Sequence, residues 1–248
     1  EEHRAAREAV ALFDQTSFSK FLVQGRDAEA AMQILCANDV GVEAGRLVYT
    51  GMLNARGGYE SDVTVTRLSE DTYFVVSGTA QTTRDMDWIR RNVDPGLDVT
   101  LTNVTEEFAV VGVMGPRSRD LLGAVSDSDF SNDAFPFGTC QEISVGNVTV
   151  RAHRITYVGE LGWELYVPVH GAVSVYTALT EAGAAFDLRL AGYYAIESLR
   201  LEKGYRAWGA DVTPDYTPYE AGLGFAVKLY KGTDFVGRDA LLRQKEVG

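Results

Sequence analysis

Apolar residues along this chain recur in two rhythms, every third or fourth position in some stretches and every second in others, and the switches between them delimit the elements. Over residues 2–12 Ala, Val and Leu keep helical spacing, so a short helix is expected, broken by residues 14–19 before the run Lys20-Phe21-Leu22-Val23 predicts a strand. Ala28, Ala31, Met32 and Leu35 predict a second helix over 28–36, with Asp27 as its N-cap. Residues 46–53 and 62–68 read as a hairpin, joined by Asn54-Ala55-Arg56-Gly57-Gly58, whose paired glycines license turn geometry closed to other residues. Further strands are expected over 73–77, 109–114, 140–145, 148–155, 164–167 and 223–227, and helices over 80–92, 117–122, 173–182, 193–201 and from Arg238 onward. Helices and strands alternate, but hairpins interrupt them, so the pattern predicts an α+β chain with mixed sheets rather than a doubly wound parallel one. The aromatic, turn-rich stretch 130–138 suggests two subdomains, 1–135 and 136–248.

Composition narrows the function classes. With 248 residues, 46% of them hydrophobic, the chain has enough apolar material for a sizeable core. Its 23 basic residues against 35 acidic ones give a net charge of −12, which predicts neither a nucleic-acid partner nor an anionic membrane surface. Cys36 and Cys140 stand far apart with no CxxC or Cys/His cluster, so they read as reduced core residues of a cytoplasmic or mitochondrial-matrix protein, and no metal site is indicated. No apolar run is long enough for a membrane span, and the polar helical start suggests a piece of a larger protein.

Three constellations carry candidate chemistry. Asp62 opens a strand just past the Gly-Gly turn, where partial burial would raise its pKa and suit it to proton exchange, although the same residue also reads as a solvated turn carboxylate. Tyr157 stands seven residues before Glu164 with glycines between. A buried carboxylate there can accept parallel hydrogen bonds from an amidine-like ring edge while the tyrosine packs on the ring; the alternative is a hairpin with Tyr157 and Trp163 in the core and Glu164 facing solvent. Arg200 lies three residues after Glu197 on one helix face, where the two can simply pair. His3, His153 and His170 show no catalytic spacing, and GxSxG, P-loop, HExxH and dinucleotide fingerprints are absent.

The segments Val48-Tyr49-Thr50-Gly51-Met52-Leu53-Asn54 with Gly57-Gly58 and Asp62, Tyr157 through Glu164, Ser198-Leu199-Arg200-Leu201-Glu202 and Thr217-Pro218-Tyr219-Glu220 occur in order over nearly the whole chain. Together they resemble the aminomethyltransferase superfamily, which includes the glycine-cleavage T-protein and the folate domains of dimethylglycine and sarcosine dehydrogenases or oxidases. Leu12-Phe13-Asp14-Gln15-Thr16-Ser17-Phe18-Ser19-Lys20-Phe21, Gly57-Gly58-Tyr59-Glu60-Ser61-Asp62 and Leu201-Glu202-Lys203-Gly204-Tyr205 look more like the latter enzymes; the T-protein usually has two adjacent acidic residues where this chain has Ser61-Asp62, and an Arg in place of Ile196. The resemblance implies a two-subdomain folate-binding fold without the small C-terminal β-barrel into which family members continue beyond Leu241. It implies tetrahydrofolate as cofactor, with Asp62 as the essential carboxylate near its reactive nitrogens, Glu164 as the anchor of the pterin edge, and Tyr49, Tyr157 and Arg200 as further cofactor-binding residues. FAD would belong to a part or partner outside this chain, where a methylated glycine-type amine is oxidised. The carbon would pass to folate as 5,10-methylene-tetrahydrofolate. Other expectations from the same resemblance are a free-standing aminomethyltransferase served by a lipoylated carrier, against which a charge of −12 argues, and a binding module without one-carbon chemistry.

Overall fold

The computed structural model of the chain describes residues 1–247. In chain order the elements are α1 (Glu2–Glu8), β1 (Ala11–Asp14), β2 (Ser19–Gln24), α2 (Ala28–Leu35), β3 (Leu47–Leu53), β4 (Tyr59–Ser69), β5 (Thr72–Ser77), α3 (Thr82–Asn92), β6 (Thr100–Asn103) and β7 (Phe108–Met114). They continue with α4 (Ser118–Val125), β8 (Cys140–Val145), β9 (Val148–His153), β10 (Gly162–Pro168), α5 (Ala172–Gly183), β11 (Arg189–Ala191), α6 (Tyr193–Glu202) and α7 (Arg238–Val247). The expected α+β class with mixed sheets holds, and no helix among the described residues is long and apolar enough to cross a membrane.

The described residues divide into two compact units, residues 1–17 with 106–205, and residues 18–105 with 206–247. Residue 135, where a boundary was expected, falls inside the first unit. The reason is strand pairing: β1 lies between β7 and β11, so the first unit's sheet is assembled from distant stretches of chain.

The first unit is built on a six-stranded sheet of order β11-β1-β7-β10-β9-β8, parallel only between β1 and β11. Alternation along β10 sends Trp163, Leu165 and Val167 to one face, where they join Leu12, Val113, Ile143 and Val150 beneath Leu121 and Leu122 of α4 and Val175 and Leu179 of α5. Trp163 meets Phe130 and Phe135 edge-on, with ring centroids 5.6 and 6.0 Å away. The opposite face packs Ala11, Phe13 and Met114 against Ala6 of α1 and Ala195, Ile196 and Leu199 of α6. The helix expected over 2–12 therefore stops at Glu8, because residues 11–14 pair as β1 on both sides.

Gly115 makes the turn from β7 into α4. Its φ is +137°, and a Cβ there would sit 2.4 Å from the backbone oxygen of Ala9. Gly115→Ala is therefore expected to cost about 3 kcal/mol or more, combining backbone strain with a clash against main chain that cannot rotate away. A chemical denaturation series on the two proteins measures it, and equal stabilities would refute the clash.

The second unit holds a five-stranded sheet of order β3-β4-β5-β2-β6, all neighbours antiparallel. Val63, Val65, Phe21, Val23, Tyr73 and Val75 face Ala28, Met32 and Leu35 of α2 and Ile89 of α3. The β3–β4 hairpin forms as expected, with Gly57 at φ +85° in its turn. A separate cluster joins Leu53 and Tyr59 to Val212, Leu223, Val227, Phe235 and Leu241 from the C-terminal stretch. The strand expected over 223–227 is instead a short 3₁₀ turn, Gly224–Ala226: no neighbouring strand completes a ladder there, and Phe225 between its apolar neighbours is 68% exposed. Asp27 does precede α2, but its carboxylate accepts from the Asp98 N–H at 2.9 Å and makes no side-chain cap.

At the other end of α2 the Lys231 ammonium donates to the carbonyls of Gln33, Cys36 and Asn38 at 2.6, 2.6 and 2.9 Å. It thereby satisfies acceptors that a helix end leaves open. Lys231→Met keeps the apolar stem and removes all of these donors, so a loss of about 2–4 kcal/mol is expected by thermal or urea unfolding.

Candidate functional site

In the second unit, Asp62 pairs across the hairpin with Gly51, and Tyr49 with Thr64, so these four share the face of β3 and β4 opposite the helices. The Tyr49 hydroxyl donates to Asp62 Oδ2 at 3.1 Å. Burial lifts the Asp62 carboxyl to about 6, the Tyr49 hydrogen bond works against that rise, and the nearby Asp85 carboxylate adds a smaller upward push. The solvated-turn reading of Asp62 thus gives way to a half-buried acid held by a phenol. The Tyr49 ring stacks at 6.3 Å on the exposed ring of Phe225. One residue away, Ser61 points to the helix side and donates to Asp85 Oδ2 at 3.1 Å; Asp85 is fully buried, and burial raises its pKa as well.

In the first unit, Glu164 lies on β10 opposite Gly112 of β7 and His153 of β9, with Phe13 in the same row on the far side of Gly112. Its side chain lies on the face away from Trp163 and is only 8% exposed as a residue, so the solvent-facing alternative is overturned: covering that face withdraws the carboxylate from water. Tyr166, two residues on, donates its hydroxyl to Glu164 Oε2 at 2.8 Å, and the Gln15 amide nitrogen lies 3.4 Å from Oε1. Burial pushes the Glu164 pKa upward while these two donors oppose it. His153 packs on Tyr166 with ring centroids 4.4 Å apart and the planes tilted by 43°, and burial lowers its pKa to about 3, so it is neutral at physiological pH.

Tyr157 packs against the cluster on this same face of the sheet and stacks on Tyr205 at 6.0 Å with 16° between the planes. Arg200, 2% exposed on α6, pairs with Glu197 as its spacing suggested, and its Nη1 donates to the Tyr205 carbonyl at 2.9 Å. It therefore ties down the residue that backs Tyr157. Tyr157, Glu164 and Arg200 belong to one unit and Tyr49 and Asp62 to the other. Sequence reasoning assigned no part to Gln15, Tyr166, His153 or Asp85. Tyr166 was the accessible one, since period-two alternation puts it on the face of Glu164.

A family model described as the GCVT N-terminal domain matches residues 1–231. The chain is 43% identical to mitochondrial sarcosine dehydrogenase of Mus musculus over 98% of its length, and 39% identical to the mitochondrial pyruvate dehydrogenase phosphatase regulatory subunit of Mus musculus over all of it; it spans 28% of each. Among solved structures, the glycine cleavage system aminomethyltransferase T of Bartonella henselae superposes with a TM-score of 0.87 at 25% identity, covering 100% of this chain and 66% of that one. The matched model, the relatives and the shared fold agree with the motifs from Tyr49 to Glu220: the chain belongs to the GCVT aminomethyltransferase family.

Proposed function

We propose that this domain binds tetrahydrofolate and passes it the carbon released when a methylated glycine-type amine is oxidised at a flavin carried elsewhere. The observation that carries this reading is Glu164, a buried carboxylate whose two oxygens are each held by a neutral donor and each retain capacity for another hydrogen bond. A pterin edge offers adjacent N–H donors, and an ionised carboxylate is the side chain that accepts two of them in parallel. The donor set fits in a second respect: the buried Gln15 Oε1 beside it has no partner among the described residues. Tyr157, backed by Tyr205 and through it by Arg200, supplies an aromatic surface for the ring.

When bound, tetrahydrofolate supplies the nitrogens that take up the carbon as 5,10-methylene-tetrahydrofolate. Asp62 orients the reactive nitrogen and takes up its proton, for which an acid near pH 6 is matched to neutral conditions. Tyr49 holds the Asp62 carboxylate in one orientation. The domain's contribution is positioning and exclusion of water, since a carbon left in water hydrolyses to formaldehyde.

Calorimetric titration of this chain with 5-formyl-tetrahydrofolate, beside Glu164→Ala, tests the reading. Saturable binding that disappears in the variant supports it. A folded chain that binds no folate would sink it and favour a binding module without one-carbon chemistry, the reading that similarity to a phosphatase regulatory subunit favours.

A further inference from the structure

The sheet face that carries Glu164 holds a second polar group whose geometry is unexplained by the fold. Gln15 follows β1 directly; its N–H donates to the Val110 carbonyl at 2.9 Å, and the residue is 2% exposed. Its amide nitrogen is the atom nearest Glu164, at 3.4 Å from Oε1. An ionised carboxylate only accepts, so the amide turns its nitrogen to Glu164 and its oxygen away. That oxygen is buried, and no group among the described residues donates to it. Space for it is kept by Gly112, the residue paired with Glu164: a Cβ there would lie 2.4 Å from Gln15 Oε1.

Folded proteins rarely leave a buried acceptor unpaired, because desolvation is then uncompensated. Replacing Gln15 by an apolar residue of the same length would remove that cost, and the fold itself uses no hydrogen bond from this oxygen. Its chemistry is that of a neutral acceptor set beside an anionic one. Glu164 can take two parallel N–H groups. A 2-amino-4-oxopyrimidine edge offers three, two on the exocyclic nitrogen and one on the ring.

We propose that Gln15 is a ligand-recognition residue, its Oε1 accepting the exocyclic N–H that Glu164 leaves over, so that the pair reads all three donors of the ring edge. The proposal rests on the folate reading given above and goes beyond it in assigning the exocyclic amino group to two side chains. Glu164 supplies most of the attraction, and Gln15 supplies discrimination for the amino group, because a site built to pair a group rejects analogues that lack it.

The test is calorimetric titration of the chain with 5-formyl-tetrahydrofolate and with its 2-desamino counterpart, for the wild type, Gln15→Met and Gly112→Ala. Gln15→Met should bind the amino compound about tenfold more weakly and the desamino compound as the wild type does, so that the ratio of the two affinities narrows about tenfold. Its thermal midpoint without ligand should be unchanged or raised, since the unpaired oxygen is gone. Gly112→Ala, which pushes the same amide aside with residue 15 intact, should narrow the ratio too, and it decides alone if Gln15→Met does not fold. An unchanged ratio in the folded variants overturns the proposal. So does an equal loss for both compounds with a lowered midpoint, which would make Gln15 a structural residue. A wild type that binds neither compound removes the folate reading and this inference with it, whereas wild-type binding with an unchanged ratio removes the inference alone.

Discussion

Asp62→Asn is expected to lower one-carbon transfer by about 10²–10⁴-fold while making the folded protein more stable at neutral pH. The amide keeps an oxygen to accept from Tyr49, so the local geometry survives, but it takes up no proton. The stability gain follows from the direction of the pKa shift. Burial raises Asp62 in the folded state to about 6 from 3.8, so between these values the folded state holds more protons than the unfolded one. Stability attributable to this group is greatest below pH 4, falls as pH rises through the interval between 4 and 6, and is level above it. A shift of about two units corresponds to roughly 3 kcal/mol, which Asn removes at pH 7. Urea unfolding at pH 4 and pH 7 should therefore show a smaller loss in the variant than in the wild type, the remaining loss coming from groups such as Asp85 and Glu164 whose pKa values burial also raises. Transfer is measured with this domain beside an amine-oxidising flavin domain, following methylene-tetrahydrofolate against free formaldehyde. A variant that transfers normally would remove Asp62 from the chemistry. In the wild type, transfer should rise as pH increases through about 6, as the carboxylate becomes able to take a proton.

Glu164→Gln should weaken folate binding by about 10²–10³-fold with little change in fold. The substitution preserves shape but turns one acceptor oxygen into an amino group that faces the ligand's own N–H donors, and it leaves Tyr166 or Gln15 donating to a donor. Loss of the buried charge leaves the apo fold no less stable, because burial disfavours that charge in the first place. Calorimetry at constant pH reports the affinity, and near wild-type binding would reassign the pterin anchor. With the Glu164 pKa raised, wild-type binding should weaken on acidification before an ordinary glutamate would protonate.

Much of this site is legible along the chain because its residues sit at positions that local rules define. Asp62 follows a Gly-Gly turn on an alternating strand, and Tyr157 and Glu164 flank a glycine-rich turn, so their elements could be foreseen. Gln15 could not be, because its importance comes from Glu164 and Gly112, residues far away in sequence that lie beside it only once the sheet forms. β1 was hidden for a related reason: Ala11 and Leu12 continue the helical spacing of α1, and pairing with β7 and β11 overrides that propensity. β6 and β11 carry little apolar alternation of their own, as edge strands with exposed residues do. Leu223, Phe225 and Val227 alternate convincingly, yet among the described residues they form no ladder with any strand and close instead into a 3₁₀ turn.

The pairing of β1 with β11 also sets a schedule for synthesis. Leu12 leaves the ribosome before its parallel partner Leu190, which follows roughly 180 residues later, about 10–40 s at ordinary elongation rates. Until Phe108–Met114 emerges, Ala11, Leu12 and Phe13 have neither partner; from then until Leu190 appears they can pair with β7 on one side only, and the other edge stays open to any extended segment nearby. The second unit's sheet is complete once residue 103 has emerged, so it can form while the first is still waiting. A nascent chain arrested between residues 120 and 185 should therefore bind holdase chaperones more strongly than one arrested after residue 205, and expression from slowly translated messages should favour aggregation through the unfilled edge of β1.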